Sequence, residues 1–111
     1  MLTIAGIEFV EAPSEVEGSP YWVDLWAYVN GYRIGIQVKP DSYSSASVSV
    51  YTGKAKSSMK SGQKRFMKDY GGKVFITNLS MGNPPAHIES EIKIEVSRLR
   101  SLPEGNNSNN Q

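Results

Sequence analysis

Asp24, Gln37 and Lys39 are the residues of this chain whose types and spacing could do chemistry. They lie in YWVDLWAYVNGYRIGIQVK, residues 21–39, two apolar runs joined by Asn30-Gly31. Asn-Gly between such runs predicts a two-residue hairpin, because both residues accept positive φ. Val29 then faces Tyr32, paired numbers sum to 61, and Asp24 falls opposite Gln37. Residues paired this way have Cβ atoms roughly 4.5–5.5 Å apart, and Lys39 stands one step along. A carboxylate and an amide oxygen suit magnesium, which takes oxygen ligands and keeps several waters. Bound there, the cation would activate water and neutralise charge on a phosphate, and Lys39 would stabilise that phosphate. An Asp–Gln hydrogen bond on a polar strand face, with lysine for solubility, is the plain alternative that the same geometry allows.

Side chains alternate along a strand, so the hairpin has two faces. Leu25, Ala27 and Val29 fall with Ile34, Ile36 and Val38 on an apolar face that must meet a core. Trp22, Asp24, Trp26 and Tyr28 fall opposite Lys39, Gln37, Gly35 and Arg33 on the other. The tryptophans there either line a groove or, more commonly, pack beneath a neighbouring element. Residues 2–12 read as a further strand, 13–20 as a connection, and Pro40 ends the hairpin. The Ser-rich stretch 41–58 holds a short alternation at Val48 and Val50. Met59, Phe66 and Tyr70 predict a basic helix over 56–70, stopped by Gly71-Gly72. KVFIT at 73–77 reads as a buried strand. After Pro84-Pro85, Ile88, Ile92, Val96 and Leu99 share one helical face to about Ser101. Residues 1–102 form one domain, and 103–111 an Asn-rich tail with nothing to bury, expected to be disordered.

Composition narrows the classes. A chain of 111 residues builds one modest core. With no cysteine, neither disulfides nor thiolate metal sites are available. No apolar run spans a bilayer and no signal-peptide layout opens the chain, which leads to the expectation of a cytoplasmic protein with no membrane role. The Asn-x-Ser sequences at Asn78 and Asn106 are then incidental. His87 is the sole histidine, which argues against His-dependent nucleophilic catalysis. Net charge is +1, yet Lys54, Lys56, Lys60, Lys64, Arg65, Lys68 and Lys73 gather seven of the twelve basic residues, opposed locally by Asp69 alone. A phosphate-facing surface fits that stretch, although a solvated helix face is the commoner arrangement.

An Asp on one hairpin strand followed by (Asp/Glu)-x-Lys on the next resembles the restriction-endonuclease-like PD-(D/E)XK nuclease superfamily. The matching segments are VD at 23–24 and IQVKP at 36–40, with GQKRFMKDYGGKVFIT at 62–77 similar to the helix and following strand of the family core. GIQVKP together with the YGGKVFI stretch is similar to the MjaI-type restriction endonucleases. The resemblance covers residues 2–77. It implies an α/β fold, a restriction-endonuclease-like core with a central mixed β-sheet flanked by helices. It further implies Mg²⁺-dependent hydrolysis of phosphodiesters in double-stranded DNA, with Asp24 and Gln37 as metal ligands and Asp24, Gln37 and Lys39 as the catalytic set. Lys64 and Arg65 would contact backbone phosphates, and a double-strand break would require a homodimer. Two departures stand out. Gln37 replaces an acid, and almost nothing precedes residue 2 where the family usually places a helix that often carries a further acid, so that either one of Glu8, Glu11, Glu15 or Glu17 substitutes or the chain is a partial domain. The alternatives are a non-catalytic DNA-binding or accessory module with a degenerate nuclease fold, and a partner-binding domain without a nucleic-acid role.

Overall fold

The hairpin forms in the expected register. The computed structural model describes residues 2–18, 21–39, 57–79 and 82–105. In it β3 (Leu25–Val29) and β4 (Tyr32–Lys39) run antiparallel, pairing Leu25 with Ile36, Ala27 with Ile34 and Val29 with Tyr32. Asn30 and Gly31 have φ of 53° and 87°, the paired positive values of a turn whose twist matches its strands. A Cβ on Gly31 would lie 2.2 Å from the carbonyl oxygen of Gly105, so nothing larger fits there.

The N-terminal segment, expected as one strand, is two. β1 (Leu2–Ile4) folds back on β2 (Ile7–Glu11) with Ile4 beside Ile7. The turn between them places Ala5 and Gly6 at φ of 55° and 78°. Alanine seldom adopts that conformation, so the sequence gives little sign of the turn. β2 continues the sheet through Val10–Trp26 and Glu11–Leu25, and a single helical turn, α1 (Ser14–Glu17), lies in the connection to β3. The first strand of the central hairpin starts later than expected, because Trp22 takes φ of 57° and the N–H groups of Tyr21 and Trp22 both donate to Gly18 O.

α2 (Ser57–Tyr70) carries the chain across the sheet and hands over to β5 (Gly71–Asn78), which pairs with β4 in parallel. β5 begins earlier than the apolar run 73–77, since Gly71 is already paired with Arg33, and the register then shifts before Gly35 meets Val74. The sheet has the order β1-β2-β3-β4-β5. Every neighbouring pair is antiparallel except the last. α3 (Ala86–Arg100) completes the domain, so the α/β class and the mixed sheet flanked by helices are as expected. The alternation at Val48 and Val50 lies outside the described residues. No helix among the described residues is long and apolar enough to cross a membrane.

Alternation gives the sheet two buried faces. On one, Ile88, Ile92, Val96 and Leu99 of α3 pack against Phe9, Ala27, Val29, Ile34, Ile36 and Phe75, while Val38, expected on this face, is exposed. On the other, Phe66 of α2 and Val16 of α1 close over Val23 and Val74, with Tyr21, Trp26 and Tyr70 at the margin. The face expected to be polar is therefore covered in part.

One charged pair fastens α3 to the edge strand. Glu95 is 2% exposed, and its Oε2 accepts from the N–H of Lys73 at 3.0 Å and from Arg98 Nη2 at 2.7 Å. The same Nη2 donates to Gly71 O at 3.1 Å. At the C-terminus, Pro103 to Gly105 do not join a disordered tail as expected. Tyr32 Oη donates to Pro103 O at 2.7 Å, and Gly105 N–H donates to Asn30 O at 2.8 Å, so the hairpin turn supplies the partners that the tail itself lacks. Residues 106–111 lie outside the described residues.

Glu95→Ala removes one member of a buried pair and strands the Lys73 N–H. The half-exposed Arg98 can regain water, so the cost falls near the lower end of that class, about 3 kcal/mol. Glu95→Gln, which keeps an acceptor, should cost less. Urea unfolding midpoints of the three proteins check both statements.

Candidate functional site

Where β3 begins, the regular ladder stops. Leu25 pairs with Ile36, but the N–H of Asp24 also turns to Ile36 O at 2.8 Å, so Asp24 does not stand paired opposite Gln37 as expected. Asp24 O is taken by the N–H of Ala12 at 3.0 Å. The side chain does what the missing backbone pair would have done: Asp24 Oδ2 accepts from the N–H of Val38 at 2.8 Å. The cause is visible one residue back. Val23 is fully buried on the α2 side, and its methyl carbons would stand 3.0 and 3.1 Å from a Cβ on Gly35, with Phe66 Cζ at 3.3 Å. Gly35 thus admits Val23 and Phe66 by having no side chain. Asp24 is displaced from the row of Trp26 and Tyr28 that simple alternation assigns it.

The consequence for the expected site is a changed geometry with the same members. Gln37 and Lys39 keep their places on β4, half-buried, opposite Ile76 and Asn78 of β5. Val38 N is the peptide nitrogen that follows Gln37 and leads to Lys39, so the Asp24 carboxylate sits on the backbone between the two residues. Its Oδ2 is committed, while Oδ1 makes no hydrogen bond among the described residues. A carboxylate held by one oxygen presents the other in a fixed direction, which suits a single bond to a hard cation. No group of three or more His, Cys, Asp or Glu side chains stands close enough together to hold a metal among the described residues. Glu8, Glu11, Glu15 and Glu17 are all exposed, and Glu11 comes nearest along the ladder, paired with Leu25.

Lys64 and Arg65 project from the exposed side of α2, as a phosphate-contacting role requires. Arg65 is not wholly available for that role. Its Nε lies 3.4 Å from Asp69 Oδ2, one helical turn on, and the Tyr21 hydroxyl donates to the same oxygen. Tyr21 meets Phe66 and Tyr70 edge-on at 6.1 and 5.8 Å between ring centres. Burial, then the Asp69 hydrogen bond and charge, push its phenol up from 10.0 to about 12.

A second cluster, at the other end of β4, escaped sequence reasoning. The Arg33 guanidinium carbon stands 4.9 Å from the Trp26 ring centre and 4.1 Å from that of Tyr28. Tyr70 meets Trp26 edge-on at 5.4 Å. Burial lowers the Arg33 pKa from its ordinary value, against the opposing pull of Tyr28 and Tyr70. Trp26, Tyr28 and Arg33 border an open groove of about 550 Å³ together with Glu8 and Val10 of β2. The signal was present in the hairpin register, which sets Arg33 opposite Tyr28 on the face of Trp26.

A raised phenol pKa makes the neutral form the one that the fold favours. The Tyr21 contribution is therefore complete below pH 10.0 and is lost as pH rises through about 12. Tyr21→Phe should flatten the alkaline fall in unfolding free energy across that window. Denaturant unfolding at stepped alkaline pH, parent against variant, measures it.

No family model matches this chain, and neither a curated protein nor a solved structure matches it.

Proposed function

We infer that the chain is a magnesium-dependent endonuclease domain hydrolysing DNA phosphodiester bonds, with a restriction-endonuclease-like core of MjaI type and a role in restriction. The observation that carries the reading is the Asp24 carboxylate seated on the Val38 N–H between Gln37 and Lys39. The order of elements supports it: a meander of β2, β3 and β4, then helix α2, then β5 parallel to β4. The resemblance at residues 2–77 calls for the Asp and the Gln-x-Lys on neighbouring strands, followed by a helix and a strand; Asp24 directly precedes β3, Gln37 and Lys39 lie on β4, and α2 and β5 follow.

Asp24 and Gln37 would hold the cation, which when bound activates water and offsets charge on the phosphate. Asp24 is oriented for this by Val38, and the orientation is set by the backbone rather than by a mobile partner. Lys39 holds the phosphate that is attacked, acting on charge that grows in the transition state. Lys64 and Arg65 set the position of the duplex through backbone phosphates without reading bases. A homodimer would supply one such site to each strand. A second reading, a DNA-binding or accessory module without hydrolysis, is favoured by one feature: the Asp24 carboxylate already serves the strand end as a backbone acceptor.

Asp24→Asn keeps an acceptor for the Val38 N–H and should leave stability within about 0.5 kcal/mol, whereas Asp24→Ala should cost about 1 kcal/mol. Both should lose plasmid cleavage in magnesium. Lys39→Ala should likewise abolish cleavage while duplex affinity in the same buffer stays near the parental value. Cleavage by Lys39→Ala within a few-fold of the parent removes Lys39 from the reaction.

Gln37→Glu separates the two readings without an activity assay. In EDTA a carboxylate at position 37, next to the Val38 peptide that holds the Asp24 carboxylate, adds like-charge repulsion, so the variant should melt below the parent. With magnesium the repulsion is offset, and the variant should recover more than the parent gains. Identical magnesium responses in a thermal unfolding titration would replace the nuclease with the non-catalytic module.

A further inference from the structure

α2 lies over β4 and β5, which leaves the β2 and β3 part of the same sheet face open. Val10 and Tyr28 are 43% and 59% exposed there, side by side with the Arg33 groove. Tyr28 presents one side of its ring to the guanidinium and is otherwise open. Trp26 is backed by Tyr70, which fixes the platform from behind. Arg33 has no ion-pair partner among the described residues, and its Nη1 is buried with no hydrogen-bond acceptor among them. A planar cation 4.9 and 4.1 Å from two ring centres and without an ion-pair partner among the described residues suits a ligand that brings both an anion and a flat face.

We propose that this groove binds an unpaired nucleotide of single-stranded DNA, its base stacked on Tyr28 and its phosphate against Arg33. Glu8, the acid of the groove, accepts from the exocyclic amino group of the base, so cytosine and adenine are preferred over thymine. Stacking on aromatic rings combined with a backbone-tracking cation is how single strands are held. α2 exposes Lys64 and Lys68 over the same sheet face, which favours an anionic ligand there. Arg33 and Lys39 belong to one row of β4, about 20 Å apart at roughly 3.3 Å per residue, so a strand leaving the groove would span a few nucleotides to reach the Asp24 end. The inference rests on the DNA reading for the identity of the polymer and does not depend on hydrolysis.

The test is fluorescence anisotropy in EDTA with short labelled oligo-dC, oligo-dA and oligo-dT, an abasic strand and a duplex. Tyr28→Ala should weaken oligo-dC binding about tenfold, with Tyr28→Phe near the parent. The parent should bind the abasic strand about as weakly as Tyr28→Ala binds oligo-dC. Arg33→Met should weaken every strand and reduce the salt dependence by about one phosphate contact. Glu8→Ala should abolish the preference for oligo-dC over oligo-dT. Oligo-dC binding by Tyr28→Ala within twofold of the parent, while Lys64→Ala/Arg65→Ala still weakens the duplex, overturns the groove and leaves the DNA reading standing. An acidic aromatic peptide that displaces oligo-dC at a lower concentration than unlabelled oligo-dC assigns the groove to peptides instead. If the parent binds neither strand nor duplex at low salt, the groove and the DNA reading fall together.

Discussion

Asn30 is the residue on which the arrangement depends. Its backbone makes the hairpin turn at positive φ, and its side-chain Nδ2 donates to Leu99 O at 2.8 Å and to Leu102 O at 3.0 Å. The turn therefore gives Leu99 O a second donor beside the Leu102 N–H and takes up Leu102 O just past α3, and its own carbonyl receives Gly105. A slip of one residue in the hairpin would exchange the two faces of β4, moving Ile34 and Ile36 off α3 and turning Arg33 and Gln37 into the core. Because the turn is tied to α3 as well as to its own strands, the register and the docking of the helix are a single constraint.

β4 consequently carries two different chemistries in one row. At the start, Arg33 stands close to the rings of Trp26 and Tyr28. At the end, Gln37 and Lys39 flank a carboxylate that reaches the backbone from the neighbouring strand. Gly35 stands between them and is the point at which α2 closes down through Phe66. The helix divides the face, leaving each end open in a different way. Asp69 links the helix surface to the aromatic packing beneath it, since Arg65 and Tyr21 meet at one carboxylate oxygen.

Much of this was legible in the residues. Asn30-Gly31 dictated the register, the spacing of Ile88, Ile92, Val96 and Leu99 dictated the buried side of α3, and Gly71 ended α2. What the sequence concealed were departures from regular periodicity. Ala5 turns left-handed without the residue type that announces it. Trp22 breaks the strand, so Val23 takes the inward place and Asp24 is turned out of its row. Such breaks are decided by packing between distant segments, here Val23 against Gly35 and Phe66, and no local pattern encodes them. The Arg33 cluster was written in the register, but its meaning required knowing that α2 covers β4 and β5 and meets β3 through Tyr70 against Trp26.

The Glu95–Arg98 pair bears on how the domain stays in solution. β5 has β4 as its one neighbour among the described residues, and KVFIT is the kind of short, apolar, β-prone segment that templates cross-β aggregation when its edge is open. By occupying the N–H of Lys73 and the carbonyl of Gly71, α3 guards the start of that edge with a pair of opposite charges. Fraying of the last helix would unmask a gatekept strand as well as loosen a core. With Glu95 buried and Arg98 half-exposed, the pair sets opposite charges where an added strand would have to begin pairing.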